Sequence, residues 1–306
     1  MIRIGAVNPD TSHFATFAKY LHDGQRARYT AIYNDGLRDD AAIDKFITDF
    51  QLEKRCRTLD ELVDFVDVGF VHSCNWEQHL RLAEPFIKKG KPVFIDKPIV
   101  GSLSDCRKLE AFAESGAVIL GSSSLRYCYE VREFLDKPEA ERGQIVSVIG
   151  TVGTDEFNYG IHVVEMIGGL VGTGAIACRC VGSGEVDGRR CETFFIRFDT
   201  GLTAIYNNFH AIHQPFTATI MTTKTTFQFA VDSKRLYMAL LDQVLNRLEN
   251  KPNILADVPA LLESVKIMLA GRLSRARGGV EVKLADIPDD DPGFDGAAFE
   301  RFYAKR

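Results

Sequence analysis

Short apolar strands alternate with amphipathic helices from residue 2 to residue 120, and this alternation is the strongest constraint on the fold. Each predicted helix carries apolar residues on one face, at spacings of three and four residues. Strands and helices that alternate in this way predict an α/β fold with a doubly wound parallel sheet. The five predicted strands are Ile2–Val7, Tyr29–Tyr33, Val68–Val71, Val93–Ile95 and Ala117–Leu120.

The strand Val93–Ile95 runs directly into Asp96, Lys97 and Pro98. Pro98 has no N–H for a sheet ladder, so the strand should stop there and leave the two charges at its carboxyl end. Open α/β sheets bind their ligands at that edge. A partly shielded lysine there can hydrogen-bond a substrate hydroxyl or help to move its proton. The alternative is a solvated Asp-Lys pair in a surface turn.

The second half of the chain has closely spaced strands joined by hairpin signals such as Asp199-Thr200-Gly201. This pattern predicts an open antiparallel sheet with helices to one side. We therefore expect a Rossmann-like dinucleotide-binding domain at 1–122 and an α+β domain for substrate binding and oligomerisation at 123–306. A homodimer or homotetramer is expected, because a free apolar sheet face would otherwise meet water.

Composition excludes several classes of function. The net charge is −5, and the longest block of like charge is Asp289-Asp290-Asp291, so no basic stripe for nucleic acid is present. No apolar run is long enough to span a membrane. Seven cysteines at irregular spacings predict free thiols in a reducing cytoplasm. The pair Cys178 and Cys180 has no second pair at zinc spacing, and no metal site is expected.

The first strand-to-helix turn lacks the three glycines, G-x-G-x-x-G, that normally let a pyrophosphate approach the backbone. Asn8, Asp10 and His13 stand at the three positions. Asn8 can replace a turn glycine because Asn tolerates unusual backbone angles, whereas the Asp10 carboxylate must point away from a pyrophosphate. Thr11, Ser12 and the helix N-terminus still offer hydroxyls, N–H groups and a positive dipole. His13 can face the phosphates or simply lie in the first turn.

Asn34 and Asp35 close the second strand, where an acidic residue normally binds the adenosine ribose. Asp35 favours NAD over NADP because it would repel a 2′-phosphate, while the nearby Arg38 leaves NADP open. The alternative is a plain turn formed by Asn34, Asp35 and Gly36.

Four short motifs, taken together in their order along the chain, resemble those of the glucose-fructose oxidoreductase and inositol dehydrogenase family (Gfo/Idh/MocA). That family has Glu-Lys-Pro at a strand end, a Thr-Pro turn followed by a histidine, an arginine after the fifth strand, and Asp-x-Gly-x-His-x-x-Asp in its second domain. The corresponding segments here are Asp96-Lys97-Pro98, Cys74-Asn75 with His79, Gly121–Tyr127 with Arg126, and Asn158–Glu165.

The resemblance implies a two-domain NAD(P)-dependent oxidoreductase that acts on a sugar, a polyol or a related hydroxy compound, and it implies that Lys97 and His162 flank the reacting carbon. Asn158 stands where the family has an aspartate, and on a helix it shares one side with His162 and Glu165. We expect His162 to take the hydroxyl proton while Lys97 stabilises the developing oxyanion.

Further site residues are expected at the strand ends and around the substrate. The substrate contacts are expected to be Arg126, Tyr159 and Glu165. The expected cofactor contacts are Asn8, Thr11, Ser12, His13, Asn34, Asp35, Ser73, Asn75, His79, Asp96 and Lys97.

A second function class is a non-catalytic sensor or regulator that binds a nucleotide or sugar on the same fold. The missing glycines and the amide of Asn158 favour this class. Retention of both Lys97 and His162 favours the enzyme, because a binding protein has no need of a paired acid and base.

Overall fold

The computed structural model describes residues 1–121 and 123–305. The first half of the chain forms a six-stranded sheet in the order β3-β2-β1-β4-β5-β6, and every neighbouring pair of strands is parallel. The carboxyl ends of β1, β4 and β5 therefore meet at one edge. The strands are β1 (Ile2–Val7), β2 (Ala27–Tyr33), β3 (Lys54–Arg55), β4 (Val68–Val71), β5 (Val93–Ile95) and β6 (Ile119–Gly121).

Five helices connect these strands, and four of them have a side-chain N-cap. Thr11, Asp39, Thr58 and Ser102 each accept a hydrogen bond from a backbone N–H of the first helical turn. The helices are α1 (Ser12–Gly24), α2 (Asp40–Asp49), α3 (Leu59–Phe65), α4 (His79–Lys88), which follows a short 3₁₀ turn (Trp76–Gln78), and α5 (Leu103–Glu114).

The prediction of a doubly wound parallel sheet is confirmed. The sheet also contains β3, which the sequence did not predict because a strand of two residues has no alternation pattern. Close packing between β4 and α4 depends on Gly69, where a Cβ would lie 2.4 Å from the ring of Phe86. The buried strands place the apolar core between the sheet and its helices.

The second half of the chain forms a seven-stranded sheet in the order β12-β11-β7-β10-β9-β8-β13. The expected open antiparallel sheet is found with one difference: β7 and β10 pair in parallel, so the sheet is mixed, while its other strand pairs are antiparallel. Hairpin signals report only neighbouring strands, and β7 and β10 are not neighbours in the chain. The strands are β7 (Ile145–Thr154), β8 (Ala175–Val186), β9 (Arg189–Phe198), β10 (Thr203–His210), β11 (Thr217–Thr222), β12 (Thr226–Ala230) and β13 (Val282–Lys283).

Two helices of the second half, α8 (Gly160–Val171) and α10 (Val258–Ala276), pack on one face of this sheet. A Cβ on Gly150 of β7 would lie 2.4 Å from Val163 Cγ1, so the glycine permits close approach of the helix that carries His162. The helices are α6 (Tyr129–Leu135), α7 (Glu139–Arg142), α8 (Gly160–Val171), α9 (Leu236–Leu248), α10 (Val258–Ala276) and α11 (Gly296–Tyr303), with 3₁₀ turns at Ser124–Tyr127 and Leu284–Asp286.

The opposite face carries a row of half-buried apolar side chains. Phe195 of β9 pairs with Ile205 of β10, and Ile205 pairs with Ile149 of β7, so the three side chains lie side by side across the sheet. Side chains alternate between the two faces of a strand, so this row points away from α8 and α10.

The predicted domain boundary falls at residue 122, which lies outside the described residues, and the division at that position stays a prediction. The seven cysteines are free thiols. No described helix has the length and apolar composition needed to cross a membrane.

Candidate active site

Lys97 follows β5 directly, and its side chain reaches the second half of the chain. Its Nζ donates hydrogen bonds to Asn158 Oδ1 at 2.8 Å and to Asn158 O at 3.2 Å. The same atom lies 5.7 Å from the centre of the Tyr159 ring. Burial lowers the pKa of Lys97, against the opposing charges of Asp96 and Asp155.

His162 lies on α8, one turn after Asn158, and is 6 % exposed. Its Nδ1 lies 2.6 Å from Ser123 Oγ, and its ring centre lies 6.0 Å from that of Tyr159. Burial and the positive charge of Lys97 hold the pKa of His162 well below its usual range, so the imidazole is neutral at neutral pH. Lys97 and His162 thus both approach Tyr159. Asn158 is hydrogen-bonded to Lys97 and lies one turn before His162 in the sequence.

His13 and Asp96 form a buried pair on the first domain's side of the same region. His13 Nδ1 lies 2.7 Å from Asp96 Oδ2, and Lys97 N donates to Asp96 Oδ1 at 2.8 Å. Burial alone would raise the pKa of Asp96, but His13 and His72 outweigh it and hold the pKa well below its usual range. The ring of His13 stacks on Phe17 and also contacts Tyr237.

A chain of hydrogen bonds continues from Asp96 into the sheet. His72 Nδ1 lies 3.5 Å from Asp96 Oδ2, and its Nε2 lies 2.7 Å from the hydroxyl of Tyr29. Tyr29 and His72 are fully buried. The chain therefore runs from β2 through β4 and β5 to His13 at the start of α1.

The first turn is held by side chains in place of glycines. Asn8 has a φ of 48°, the left-handed conformation that a turn glycine would supply. Its amide donates to Asp35 Oδ1 at 2.8 Å and accepts from Asp35 N at 2.9 Å. The Asp10 carboxylate accepts from Leu37 N at 2.9 Å and from Cys74 N at 3.1 Å. Burial raises the pKa of Asp10 to about 6, although these N–H groups oppose the shift.

The residues after β2 are also bound within the protein. The Asp35 carboxylate accepts from the Tyr33 hydroxyl at 3.1 Å and pairs with Arg81 at 2.9 Å. The Asn34 amide donates to Arg38 O at 2.8 Å, which forms the plain turn that the sequence left open. These contacts give Asn34 a structural role in the turn and leave Asp35 exposed at the surface of the first domain.

The segment after β4 corrects two expected cofactor contacts. Both ring nitrogens of His79 lie near backbone oxygens, Ser73 O at 2.9 Å and Ile99 O at 3.1 Å, and the side chain is buried. His79 therefore joins two loops and presents no free nitrogen to a ligand. The Asn75 amide donates to Glu300 Oε2 at 2.9 Å and is likewise used within the protein. Ser73 Oγ accepts from Asn75 N at 3.2 Å.

Arg126 and Glu165 were expected to bind substrate, and their buried contacts argue against it. Arg126 Nε donates to Glu165 Oε2 at 2.5 Å, and its Nη2 donates to Ser264 Oγ at 3.2 Å. The two residues are 6 % and 2 % exposed. Their charges are satisfied by each other beneath α10, so the pair is structural.

A second cluster of titratable groups lies in the other sheet. Glu156, Glu192 and His210 bring ligand atoms within 4.8 Å of one another. Arg275 donates to both glutamates, at 2.6 Å and 2.9 Å, and Arg190 also pairs with both. The two guanidinium groups compensate the carboxylates, which makes this cluster an ion-pair network.

A cavity of about 480 Å³ opens at the carboxyl edge of the first sheet. It lies between the loops after β1 and β2, the start of α8 and the end of α11. Sequence reasoning placed Tyr159 here and missed the contribution of the C-terminal helix, for which the sequence carries no signal. The lining residues are Asp10, Leu37, Arg38, Tyr159, Tyr303 and Ala304.

Residues 11–123 match the model of a family described as "Oxidoreductase family, NAD-binding Rossmann fold", which is the Gfo/Idh/MocA family. The resemblance to the Gfo/Idh/MocA family is confirmed. The matched segment runs from Thr11, the N-cap of α1, to Ser123, just past β6, and the expectation of an NAD-binding domain is confirmed with it. No curated protein gives a match to the chain.

Solved structures share the whole architecture. A probable dehydrogenase from Thermotoga maritima is 16% identical, with a TM-score of 0.77 over 94% of this chain and 100% of that one. A putative myo-inositol dehydrogenase from Sinorhizobium meliloti 1021 is 15% identical, with a TM-score of 0.80 over 93% and 100%. Scyllo-inositol dehydrogenase from Lactobacillus casei, solved with NAD(H) and scyllo-inositol, is 16% identical, with a TM-score of 0.78 over 93% and 99%. At these identities the similarity shows a shared fold.

The first turn fits a dinucleotide in spite of its missing glycines. Asn8 adopts the backbone conformation of a turn glycine, and the Asp10 carboxylate is turned towards two loop N–H groups. The N-terminus of α1 begins at the exposed Ser12, so its dipole remains available to an anion.

Proposed function

We propose that the chain is an NAD(P)-dependent dehydrogenase that moves a hydride between nicotinamide and a hydroxyl-bearing or carbonyl carbon of a sugar, a polyol or a related hydroxy compound. The observation that carries the proposal is the approach of Lys97 and His162 to the ring of Tyr159, from opposite domains. Pairs of titratable groups with shifted pKa values in one cleft are typical of acid–base sites.

The cofactor would be held by groups at the carboxyl edge of the parallel sheet. Thr11, Ser12 and the N-terminus of α1 would bind the pyrophosphate, with His13 beside them. Asp35 and Arg38 would lie on the adenosine side of the first turn. The positive charge of Arg38 is compatible with the 2′-phosphate of NADP, so NADP stays open as the cofactor. The nicotinamide supplies the hydride acceptor, and the protein supplies position and proton transfer.

Lys97 and His162 have complementary parts in the proposed reaction. The ammonium of Lys97 donates a hydrogen bond to the substrate oxygen and stabilises negative charge that develops there. His162 is neutral, because burial and Lys97 lower its pKa, and a neutral imidazole can accept the hydroxyl proton. Asn158 orients Lys97 through two hydrogen bonds without adding a negative charge. An aspartate at this position would hold the lysine in its charged form more strongly.

A second candidate is a non-catalytic sensor or regulator that binds a nucleotide or sugar. It is favoured by the absence of the three turn glycines, whose positions hold Asn8, Asp10 and His13, and by the neutral amide at Asn158. The two candidates share a ligand and differ in turnover, so binding and catalysis must be measured separately.

The proposal is tested by titrating the protein with NAD and NADP, followed by assays of hydride transfer with inositols and other polyols. Trp76 is the single tryptophan, and it lies in the turn after β4, so its fluorescence reports on this edge. Binding of either nucleotide with turnover of any polyol supports the dehydrogenase. Binding without turnover supports the sensor. No response to either nucleotide at millimolar concentration excludes both the dehydrogenase and a nucleotide-binding sensor.

We also propose that the chain acts in the cytoplasm as a homodimer or homotetramer joined through the free face of the second sheet. The row of Phe195, Ile205 and Ile149 supports this, because removing adjacent apolar side chains from water lowers the free energy of the assembly. Sedimentation velocity tests it with Ile205→Glu. A fall in molecular mass supports the interface, and an unchanged oligomer assigns the contact to another surface.

A further inference from the structure

The segment that precedes and includes α11 folds back onto the first domain. Phe294 N donates to Gly101 O at 2.9 Å, and Trp76 Nε1 donates to Phe294 O at 2.6 Å. Gly296 N donates to Glu77 Oε1 at 2.9 Å. The segment is therefore bound to the turn after β4 and to the loop that follows Pro98.

Helix α11 then runs along that turn towards the cavity. Glu300 accepts from the Asn75 amide, and the ring of Phe299 lies 5.1 Å from that of Trp76 and 5.9 Å from that of Tyr303. Glu300 also lies close enough to Asp10 for its charge to add to the raised pKa of that carboxyl. The end of the helix consequently lies beside the first turn, where Tyr303 lines the cavity.

Arg38 also lines this cavity. Its Nη2 donates to Asp10 O at 2.6 Å, and its Nε donates to Pro9 O at 3.4 Å, so the guanidinium is fixed against the first turn. Within residues 1–121 and 123–305, Arg38 forms no salt bridge with a carboxylate. A fixed guanidinium without an acidic partner is suited to a phosphate oxygen.

We propose that α11 is part of the nucleotide site, with Tyr303 packing against the adenine and Arg38 binding a phosphate of the adenosine half. The inference rests on the proposed nucleotide dependence and adds a binding residue from the far end of the chain. An aromatic ring binds any base through its face, and a cation that lines the same cavity can fix the adjoining phosphate. Tyr159 also lines the cavity and lies beside Lys97, so it marks the nicotinamide side.

The test is isothermal titration of the full chain with AMP, with nicotinamide mononucleotide and with NAD. We expect Tyr303→Ala to weaken AMP and NAD by about tenfold each and to leave nicotinamide mononucleotide unchanged. Tyr303→Phe keeps the ring and should bind AMP like the wild type. Phe302→Ala is the matched control, because Phe302 is on the same helix, is 50% exposed and is not a cavity-lining residue.

The outcomes separate this inference from the proposed function. AMP binding that is equal in Tyr303→Ala and in the wild type overturns the role of α11, even if NAD is turned over. An equal loss of AMP and nicotinamide mononucleotide in a Tyr303→Ala protein that melts earlier than the Phe302→Ala control also overturns it, since the helix would then be structural. AMP binding that depends on Tyr303 in a protein without NAD turnover supports the subsite and counts against the dehydrogenase.

Discussion

The Lys97 ammonium and the Asn158 side chain meet at 2.8 Å across the two halves of the chain. The lysine extends from the end of a parallel strand, and the asparagine lies immediately before α8. A neutral amide accepts this hydrogen bond without opposing the effect of burial, which lowers the pKa of Lys97. The contact fixes the amine while leaving its proton easier to lose than that of an ordinary lysine.

Replacement of Lys97 should abolish turnover and spare nucleotide binding. Lys97→Met retains much of the volume and removes the hydrogen-bond donor, and we expect kcat to fall by about 10²–10³-fold, the usual cost of losing a donor to a developing oxyanion. The fluorescence titration with NAD should change little. Lys108→Met, at a largely exposed lysine of α5, is the control. Full turnover by Lys97→Met would refute the proposed part of Lys97.

Asn158→Asp should move the alkaline limb of the kcat/KM profile to higher pH. A carboxylate at hydrogen-bond distance favours the ammonium form of Lys97 and so raises its pKa, and the ammonium is the form that the proposed reaction needs. Asn158→Ala removes the acceptor without adding charge and should not shift the limb upward. The prediction fails if the two variants have the same alkaline limb.

Separation of the buried pair Arg126 and Glu165 should destabilise the fold. Glu165→Gln leaves a buried guanidinium without its carboxylate, and loss of one partner of a buried ion pair costs about 3–5 kcal/mol. Urea denaturation measures the loss. The double variant Arg126→Met with Glu165→Leu should recover much of the stability, because no charge is left unpaired. A loss below about 1 kcal/mol for Glu165→Gln would show that the pair is solvated.

Asp10 should make the stability of the protein depend on pH. Its folded pKa, about 6, is above its ordinary value of 3.8, so protonation favours the fold at low pH and this contribution is lost as the pH rises through 6. Two pKa units correspond to about 3 kcal/mol. In urea denaturation at pH 4 and pH 7, the wild type should therefore lose up to about 3 kcal/mol relative to Asp10→Asn.

The absolute stability of Asp10→Asn is not the quantity that decides this prediction. The amide oxygen can replace only one of the two oxygens that accept from Leu37 N and Cys74 N, so the variant loses a hydrogen bond at every pH. Only the change with pH reports the carboxyl. A constant difference between the two proteins from pH 4 to pH 7 would contradict the raised pKa.

Local patterns in the sequence were sufficient for five of the six strands of the first sheet and for its ligand-binding edge. The bounds of β1 and β4 were predicted residue for residue, because each strand is a short apolar run between turn signals. The glycine-like conformation of Asn8 also follows from the residue type at a known turn. The positions of Lys97 and His162 depended on motif order and on a family resemblance, since periodicity gives no distance between two domains.

Side-chain contacts between segments far apart in the chain could not be predicted from local sequence patterns. Arg126 and Glu165 have the residue types of a polar pocket, and only the packing of α8 under α10 shows that they bind each other. His79 matched a family position, but backbone oxygens from two loops occupy both its nitrogens. The contact between Glu300 and Asn75 joins residues 225 positions apart, and no local pattern specifies such a pairing.

The hydrogen bonds from Tyr29 through His72 and Asp96 to His13 connect the interior of the first sheet to the start of α1. If the Tyr29 hydroxyl donates to His72 Nε2, the proton on His72 must lie on Nδ1, facing Asp96. Removing one oxygen atom, as in Tyr29→Phe, would free His72 to change tautomer and alter how firmly Asp96 holds His13. The buried Tyr29 would thereby affect the imidazole of His13 through His72 and Asp96.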